Sequence, residues 1–290
     1  MKPRSKIMFN IFTLSALLVS LLGSAVFVPS VQAELLAAPL YASGDFLWAK
    51  RMGGGSDDDG TSVAVDSSGN VYTTGWFIGT ADFDPGVGTA DLTAAGLADV
   101  FVSKLDRNGN FVWAKGMGGA GTDAGSSITV DSNGSVYTTG NYAGLSDFDP
   151  GPGVADLTAT GLADVFVSKL DSNGNFVWAK SMGGEIYDRG AGIAVDSSGN
   201  IYTTGAFTTG SYVLNADFDP GPDTAYLTSA GQQDIFISKL DSNGNYVWAK
   251  SMGGTDYDYA NGISVDSRKC LYNRDFAKPL NLILAQARST

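Results

Sequence analysis

The sequence predicts an all-β chain. The expected form is a β-propeller-like array of four-stranded antiparallel blades, with three full repeats of about 65 residues and a partial fourth. Three observations carry this reading. Trp48, Trp113, Trp178 and Trp248 recur 65, 65 and 70 residues apart. A second landmark, Val65-Asp-Ser-Ser-Gly-Asn-Val-Tyr-Thr-Thr-Gly75 in its first copy, puts Asp66, Asp131, Asp196 and Asp266 at a fixed 18 residues after each tryptophan. The composition agrees: 38 residues are Gly, and of the 30 acids only Glu34 and Glu185 are Glu. Asp and Gly favour turns, whereas Glu favours helix.

Within the first unit, Ser62–Val65 reads as one strand and Asn70–Phe77, rich in Tyr, Thr and Val, as the next. Between them Asp66-Ser-Ser-Gly-Asn70 is a hairpin loop, with Gly69 suited to the left-handed position that closes a type I turn. Val100–Leu105 is a third strand and Phe111–Lys115 a fourth, joined by Asp106-Arg-Asn-Gly-Asn110 with the same turn chemistry. The third strand is apolar on both faces, so it is expected to be covered on both sides. Units of this length exceed the roughly 40 to 50 residues usual for a propeller blade. The surplus lies between the second and third strands, in Asp82-Phe-Asp-Pro-Gly86 and Ala90-Asp-Leu-Thr93. The third unit carries five further residues near Thr209–Asn215, which marks a surface loop. A parallel β-helix is the competing architecture, but it has shorter rungs and no need for two hairpin turns per unit.

Residues 1–33 read as a secretory signal peptide. Lys2, Arg4 and Lys6 precede the apolar run Ile11–Val28, Pro29 breaks it, and Val31-Gln-Ala33 offers small residues for cleavage. Cleavage leaves no membrane span in the expected mature chain. Residues 34–44 form a linker, 45–266 the repeats, and 267–290 a divergent tail or worn fourth blade. That tail holds five bases against one acid, while 34–266 holds ten against 29. Two accounts fit the reversal: a worn blade closing a four-bladed ring, or the truncated end of a longer protein. The second leaves an open arc whose bare blade faces would drive self-association.

Trp48-Ala-Lys50, Met52-Gly-Gly54, the Val-Asp-Ser-Ser-Gly-Asn-Val-Tyr-Thr-Thr-Gly run, Asp82-Phe-Asp-Pro-Gly86 and Phe101-Val-Ser-Lys-Leu-Asp106 recur in order through residues 45–266. In these motifs the chain resembles the bacterial SBBP-type β-propeller repeat family. The resemblance implies an exported or surface-associated propeller. It brings no settled activity and no catalytic residue set.

The chain has no His, and Cys270 is its one cysteine, so an intrachain disulfide, a Cys/His zinc site and a Ser-His-Asp mechanism are all excluded. A net charge of -12 argues against a nucleic-acid partner. Three carboxylate pairs are candidate calcium ligands: Asp82 with Asp84, Asp147 with Asp149, and Asp217 with Asp219. Carboxylates two apart in a loop can share a hard cation. The competing reading has them bonding backbone amides in a tight turn. Asp58, Asp123, Asp188 and Asp258 follow each tryptophan by ten residues, and their recurrence points to a structural bond between blades. Trp76, Phe77, Tyr142, Phe207 and Tyr212 are candidate binding aromatics that could stack on sugars, with blade packing as the plainer alternative. Enzymes built on repeats break repeat symmetry at the site, and the departures here form no nucleophile–base pair. The expected function is therefore an exported, non-catalytic module that binds a glycan or another envelope protein. A carboxylate-based glycan-processing enzyme and a fragment of a longer propeller are the alternatives.

Overall fold

A computed structural model describes residues 46–210 and 215–265, together with the strand 270–276. The signal peptide, the linker, Tyr212 and residues 277–290 lie outside the described residues. The chain divides into two units, Met1–Phe46 and Leu47–Thr290, and the blades belong to the second.

The described residues form strands and turns without a helix. Blade 1 pairs Asp58–Val65, Val71–Phe77, Asp99–Leu105 and Phe111–Gly119 in that spatial order, each antiparallel to the next. Blade 2 repeats the order with Ala124–Val130, Val136–Tyr142, Asp164–Leu170 and Phe176–Met182. Blade 3 does so with Arg189–Val195, Ile201–Phe207, Asp234–Leu240 and Tyr246–Met252. A fourth hairpin follows, Asp258–Val265 with Cys270–Phe276. Its pairing continues beyond residue 266, into the segment whose composition departs from the repeats.

The hairpin loops take the expected turn. Gly69 sits at φ 83° and Gly109 at φ 76°, where a side chain would be strained. Asp66 closes its loop: its Oδ1 accepts the amides of Ser68 and Asn70, and its Oδ2 accepts the Asn70 side-chain amide. With these bonds made locally, the Asp-Ser-Ser-Gly-Asn motif is a hairpin turn.

The first strand begins at Asp58, earlier than the apolar pattern indicates. Its ladder continues through a bulge between Gly60 and Ser62, and the same irregularity recurs at Gly125/Ser127, Gly190/Gly192 and Ala260/Gly262. First strands of successive blades lie side by side at matching positions. The Ile128 amide reaches Ser62 Oγ and the Ile193 amide reaches Ser127 Oγ. The Gly192 α-carbon faces the backbone of Gly262, where a side chain would not fit.

The surplus between the second and third strands is an extra hairpin that sequence reasoning left unassigned. Leu145–Asp147 pairs with Asp156–Thr158 and, on its other side, with Gly118–Gly119 at the end of blade 1. Thr80–Asp82 likewise joins Gly53–Gly54, and Asp217 joins Gly183. Among the described residues, the Met-Gly-Gly motifs at 52–54, 117–119 and 182–184 thus receive the extra hairpin of the following blade.

The core lies largely between blades. One cluster combines Tyr137, Val165, Val167 and Met182 of blade 2 with Ile193, Phe207, Phe218 and Phe236 of blade 3. A second joins Tyr72, Val100 and Met117 to Ile128, Tyr142 and Phe166. As expected, the third strand is buried on both faces. Burying each large apolar side chain there contributes on the order of 1.5–3 kcal/mol.

Candidate functional site

The carboxylate pairs of the extra hairpins are built into their turns. Asp82 Oδ1 accepts the amides of Asp84 and Ala90 at 2.9 and 2.8 Å, and Asp84 Oδ1 accepts that of Gly86 at 2.7 Å. In blade 2, Asp147 Oδ1 accepts the amides of Asp149 and Ala155, and Asp149 Oδ1 accepts that of Gly151 at 2.8 Å. In blade 3, Asp217 Oδ1 accepts the amides of Asp219 and Ala225, and Asp219 Oδ1 accepts that of Gly221 at 2.8 Å. The amides of Ala90 and Asp84 hold the Asp82 carboxyl below its ordinary range. Between the two acids of each pair a phenylalanine turns inward. Phe83 packs edge-on against Phe77 at 5.6 Å and tilted against Phe101 at 4.8 Å. Phe148 does the same with Tyr142 and Phe166, and Phe218 with Phe207 and Phe236.

This geometry gives the six expected calcium ligands a turn-closing role. Asp82, Asp84, Asp147, Asp149, Asp217 and Asp219 each spend a carboxylate oxygen on the backbone amides of their own turn. No group of three or more Asp, Glu, Cys or His gathers among the described residues. Asp149 and Asp219 act as Asp84 does, closing the Asp-Pro-Gly bend. Anchoring the phenylalanine plug accounts for the recurrence of the motif.

The ring contacts put three of the candidate binding aromatics in the core. Phe77, Tyr142 and Phe207 are 0% exposed, with no ring face to offer a ligand. They end their second strands in the core, because alternation along the strand turns them into the blade interface. Trp76, one position earlier, is half-buried and reaches the surface.

The junction acids make the expected structural bonds. Asp123 is fully buried; its Oδ2 accepts the Gly119 amide and the Ser146 hydroxyl, and its Oδ1 accepts the Ala143 amide. Asp188 holds the amides of Gly184 and Thr208 in the same way. Sequence reasoning missed their partners, Asp99, Asp164 and Asp234, which open the third strands. Each accepts one backbone amide on Oδ2, while its Oδ1 is buried without a partner among the described residues. Burial, reinforced by the neighbouring Asp123, pushes Asp99 up to about 6. Burial, reinforced by Asp164, pushes Asp188 up to about 7. Raised carboxyls are what a glycosidase acid requires. These are at most 6% exposed and recur at every junction, so they are placed to hold blades together and out of a substrate's reach.

Divergence concentrates elsewhere. The cross-strand glycine pairs Gly60/Gly75, Gly125/Gly140 and Gly190/Gly205 are invariant among blades 1 to 3. The pair immediately beside them is Asp59/Trp76 in blade 1, Ala124/Asn141 in blade 2 and Arg189/Ala206 in blade 3. Tyr259 is paired with Asp275 in the fourth hairpin. The residue two before each first-strand member changes as well: Asp57, Thr122, Tyr187 and Tyr257. Parallel bridges Ala98–Thr122, Ala163–Tyr187 and Gln233–Tyr257 fix this end of each later strand to the blade before it. Tyr187, Tyr257 and Tyr259 are 40%, 48% and 42% exposed. The rings of Tyr257 and Tyr259 are parallel within 6° at 6.1 Å. The ends of neighbouring first strands therefore form an edge of changing charge and aromatic character on a constant scaffold.

Comparison with known proteins agrees with the repeat architecture. The sequence profile of the SBBP family, described as a beta-propeller repeat, matches residues 47–79 and 183–206. An uncharacterized WD repeat-containing protein L264 of Acanthamoeba polyphaga mimivirus is 23% identical over 249 residues, covering 76% of this chain and 18% of that protein. Regulatory protein FlaEY of Caulobacter vibrioides is 24% identical over 180 residues, covering 61% of this chain and 18% of that protein. The chain thus spans about a fifth of the length of these curated relatives. A crystal structure of a protein of unknown function from Bacteroides caccae aligns with a TM-score of 0.23 and 11% identity, covering 71% of this chain and 86% of that one.

Proposed function

We propose, from the match of residues 47–79 and 183–206 to the SBBP beta-propeller repeat, that the chain is an exported, non-catalytic module. In this reading it binds a glycan or another protein of the cell envelope through the divergent ends of its first strands. The observation that carries the proposal is where the blades differ. Their turns, plugs and junction carboxylates repeat, while the residues beside the invariant glycine pairs change from blade to blade. The first-strand members Asp59, Ala124 and Arg189 change while the glycines beside them stay fixed, and the exposed Asp59, Arg189 and Tyr187 suit recognition. The basic start, apolar run and Val31-Gln-Ala33 of the N-terminal segment support export.

A glycan array, paired with capture of envelope proteins and followed by product analysis, tests the proposal. Retention of a ligand without cleavage products is the expected result. Cleavage products would replace the module with a glycan-processing enzyme, and an array and capture without any retained partner would remove the binding function.

A further inference from the structure

One corner of the divergent edge is a cleft of about 430 Å³ beside Trp76, walled by Arg51, Ser56, Asp57, Asp59 and the glycines of Met52-Gly-Gly54. We infer that this cleft is a saccharide subsite. In it the Trp76 ring stacks on the apolar face of a pyranose, Asp57 and Asp59 accept its hydroxyls, and Arg51 donates to its oxygens. The inference rests on the binding function proposed above and gives that function a place and a ligand class.

Four features point to a sugar. Trp76 is half-buried, so its ring is held by the blade while part of it faces the cleft. An indole offers a large, rigid apolar face at small entropic cost. Next, the polar groups of the cleft divide into structural and available ones. Asp58 is committed, its Oδ2 accepting the Gly54 amide at 2.6 Å and its Oδ1 facing the Ile78 amide. Asp57 and Asp59 are exposed. Third, Arg51 shares the cleft with these carboxylates. A guanidinium there disfavours a simple cation, whereas donors and acceptors around one aromatic face suit a ring bearing hydroxyls. Finally, folding does not call for this group. Blade 2 has Thr122, Ala124 and Asn141 at the corresponding positions, and blade 3 has Tyr187, Arg189 and Ala206.

Isothermal titration of the full chain with four neutral oligosaccharides, maltotetraose, cellotetraose, xylotetraose and N-acetylchitotetraose, tests the subsite. At least one is expected to bind. Trp76→Ala should then weaken it about tenfold or more, and Trp76→Phe, which keeps a stacking face, should retain most of the affinity. Asp57→Asn with Asp59→Asn should weaken it about three- to tenfold. Far-UV circular dichroism and melting temperature establish that each variant is folded. Binding that Trp76→Ala leaves unchanged overturns the subsite while the broader binding function stands. Failure of all four sugars to bind the folded wild-type chain also overturns the subsite, and the array and capture then decide the broader function separately.

Discussion

A carboxylate oxygen of Asp99 and one of Asp123 lie 2.7 and 2.8 Å from the point that a Cβ on Gly118 would occupy. Asp99 opens the third strand of one blade, Asp123 directly precedes the first strand of the next, and the glycine lies where the extra hairpin docks. Gly183 stands in the same relation to Asp164 and Asp188. Replacing Gly118 by Ala should therefore force both carboxylates away and cost about 2–4 kcal/mol in urea denaturation. Gly116→Ala is the control. A Cβ there meets Phe77 at an ordinary 3.6 Å, and two other blades carry Ser181 and Ser251 at this position, so it should cost under about 1 kcal/mol.

These buried acids should give the fold an acid-side preference. Asp99 is raised to about 6 and Asp188 to about 7, each mainly by burial. A carboxyl raised in the folded state favours folding most when protonated, so its contribution is lost as pH rises through 6 to 7. The turn acids act oppositely. Hydrogen bonds from Asn110 hold Asp106 down, so its contribution is present above the ordinary carboxyl pKa and is lost at lower pH. Melting temperature should therefore peak near about pH 4, decline as pH rises to about 7 and level off above it. Asp99→Asn keeps an acceptor for the Ala95 amide and removes the buried charge. It should raise stability at pH 8 by ~1–3 kcal/mol and flatten the decline. An unchanged pH profile in this variant would mean that Asp99 is not the titrating group.

Each blade carries a cross-strand row of tyrosine, lysine and tryptophan. Lys104 pairs across to Tyr72 on one side and Trp113 on the other, its Nζ lying 5.0 Å from the centre of the Tyr72 ring. Lys104 Nζ and Trp113 Nε1 both donate to the Ser172 carbonyl in the next blade's turn. Lys104→Met should cost about 1–2 kcal/mol, and a double-mutant cycle with Tyr72→Leu should show a coupling of about 0.5–1 kcal/mol. Additive effects would remove the cation–π contact as a stabilising element.

The Asp82 turn separates a structural role from a metal-binding one. Asp82→Ala leaves the amides of Asp84 and Ala90 without their acceptor. The expected cost is about 1–3 kcal/mol, equal in chelator and in millimolar calcium. A wild-type melting temperature that rises on adding calcium, with the rise lost in Asp82→Ala, would instead make these carboxylates ligands.

Much of the scaffold is legible in the sequence because its signals are local. Alternation marks the strands, Asp and Gly mark the turns, and the spacing of Trp48, Trp113 and Trp178 sets the blade period. The recurrence of Asp123 and Asp188 is enough to identify structural bonds at the junctions. The acid pairs are more ambiguous. The spacing of Asp147 to Asp149, or of Asp217 to Asp219, suits a cation and a tight turn equally, and only the structure shows the backbone amides that these carboxylates accept. The aromatic candidates are harder still. Trp76 and Phe77 are adjacent and chemically alike, yet only pairing register decides which ring faces water and which enters the core.

The sequence by itself determined the repeat, the strand order within a blade and the turn chemistry, since each depends on residues a few positions apart. Only the tertiary structure decided that Asp-Phe-Asp anchors a core plug and that each extra hairpin docks on the preceding Met-Gly-Gly. It alone showed that Asp99 and Asp123 meet over one glycine, and that Arg51 and Trp76 share a cleft. These relations join segments from different blades or different strands. No local period encodes them, because they depend on how neighbouring sheets pack.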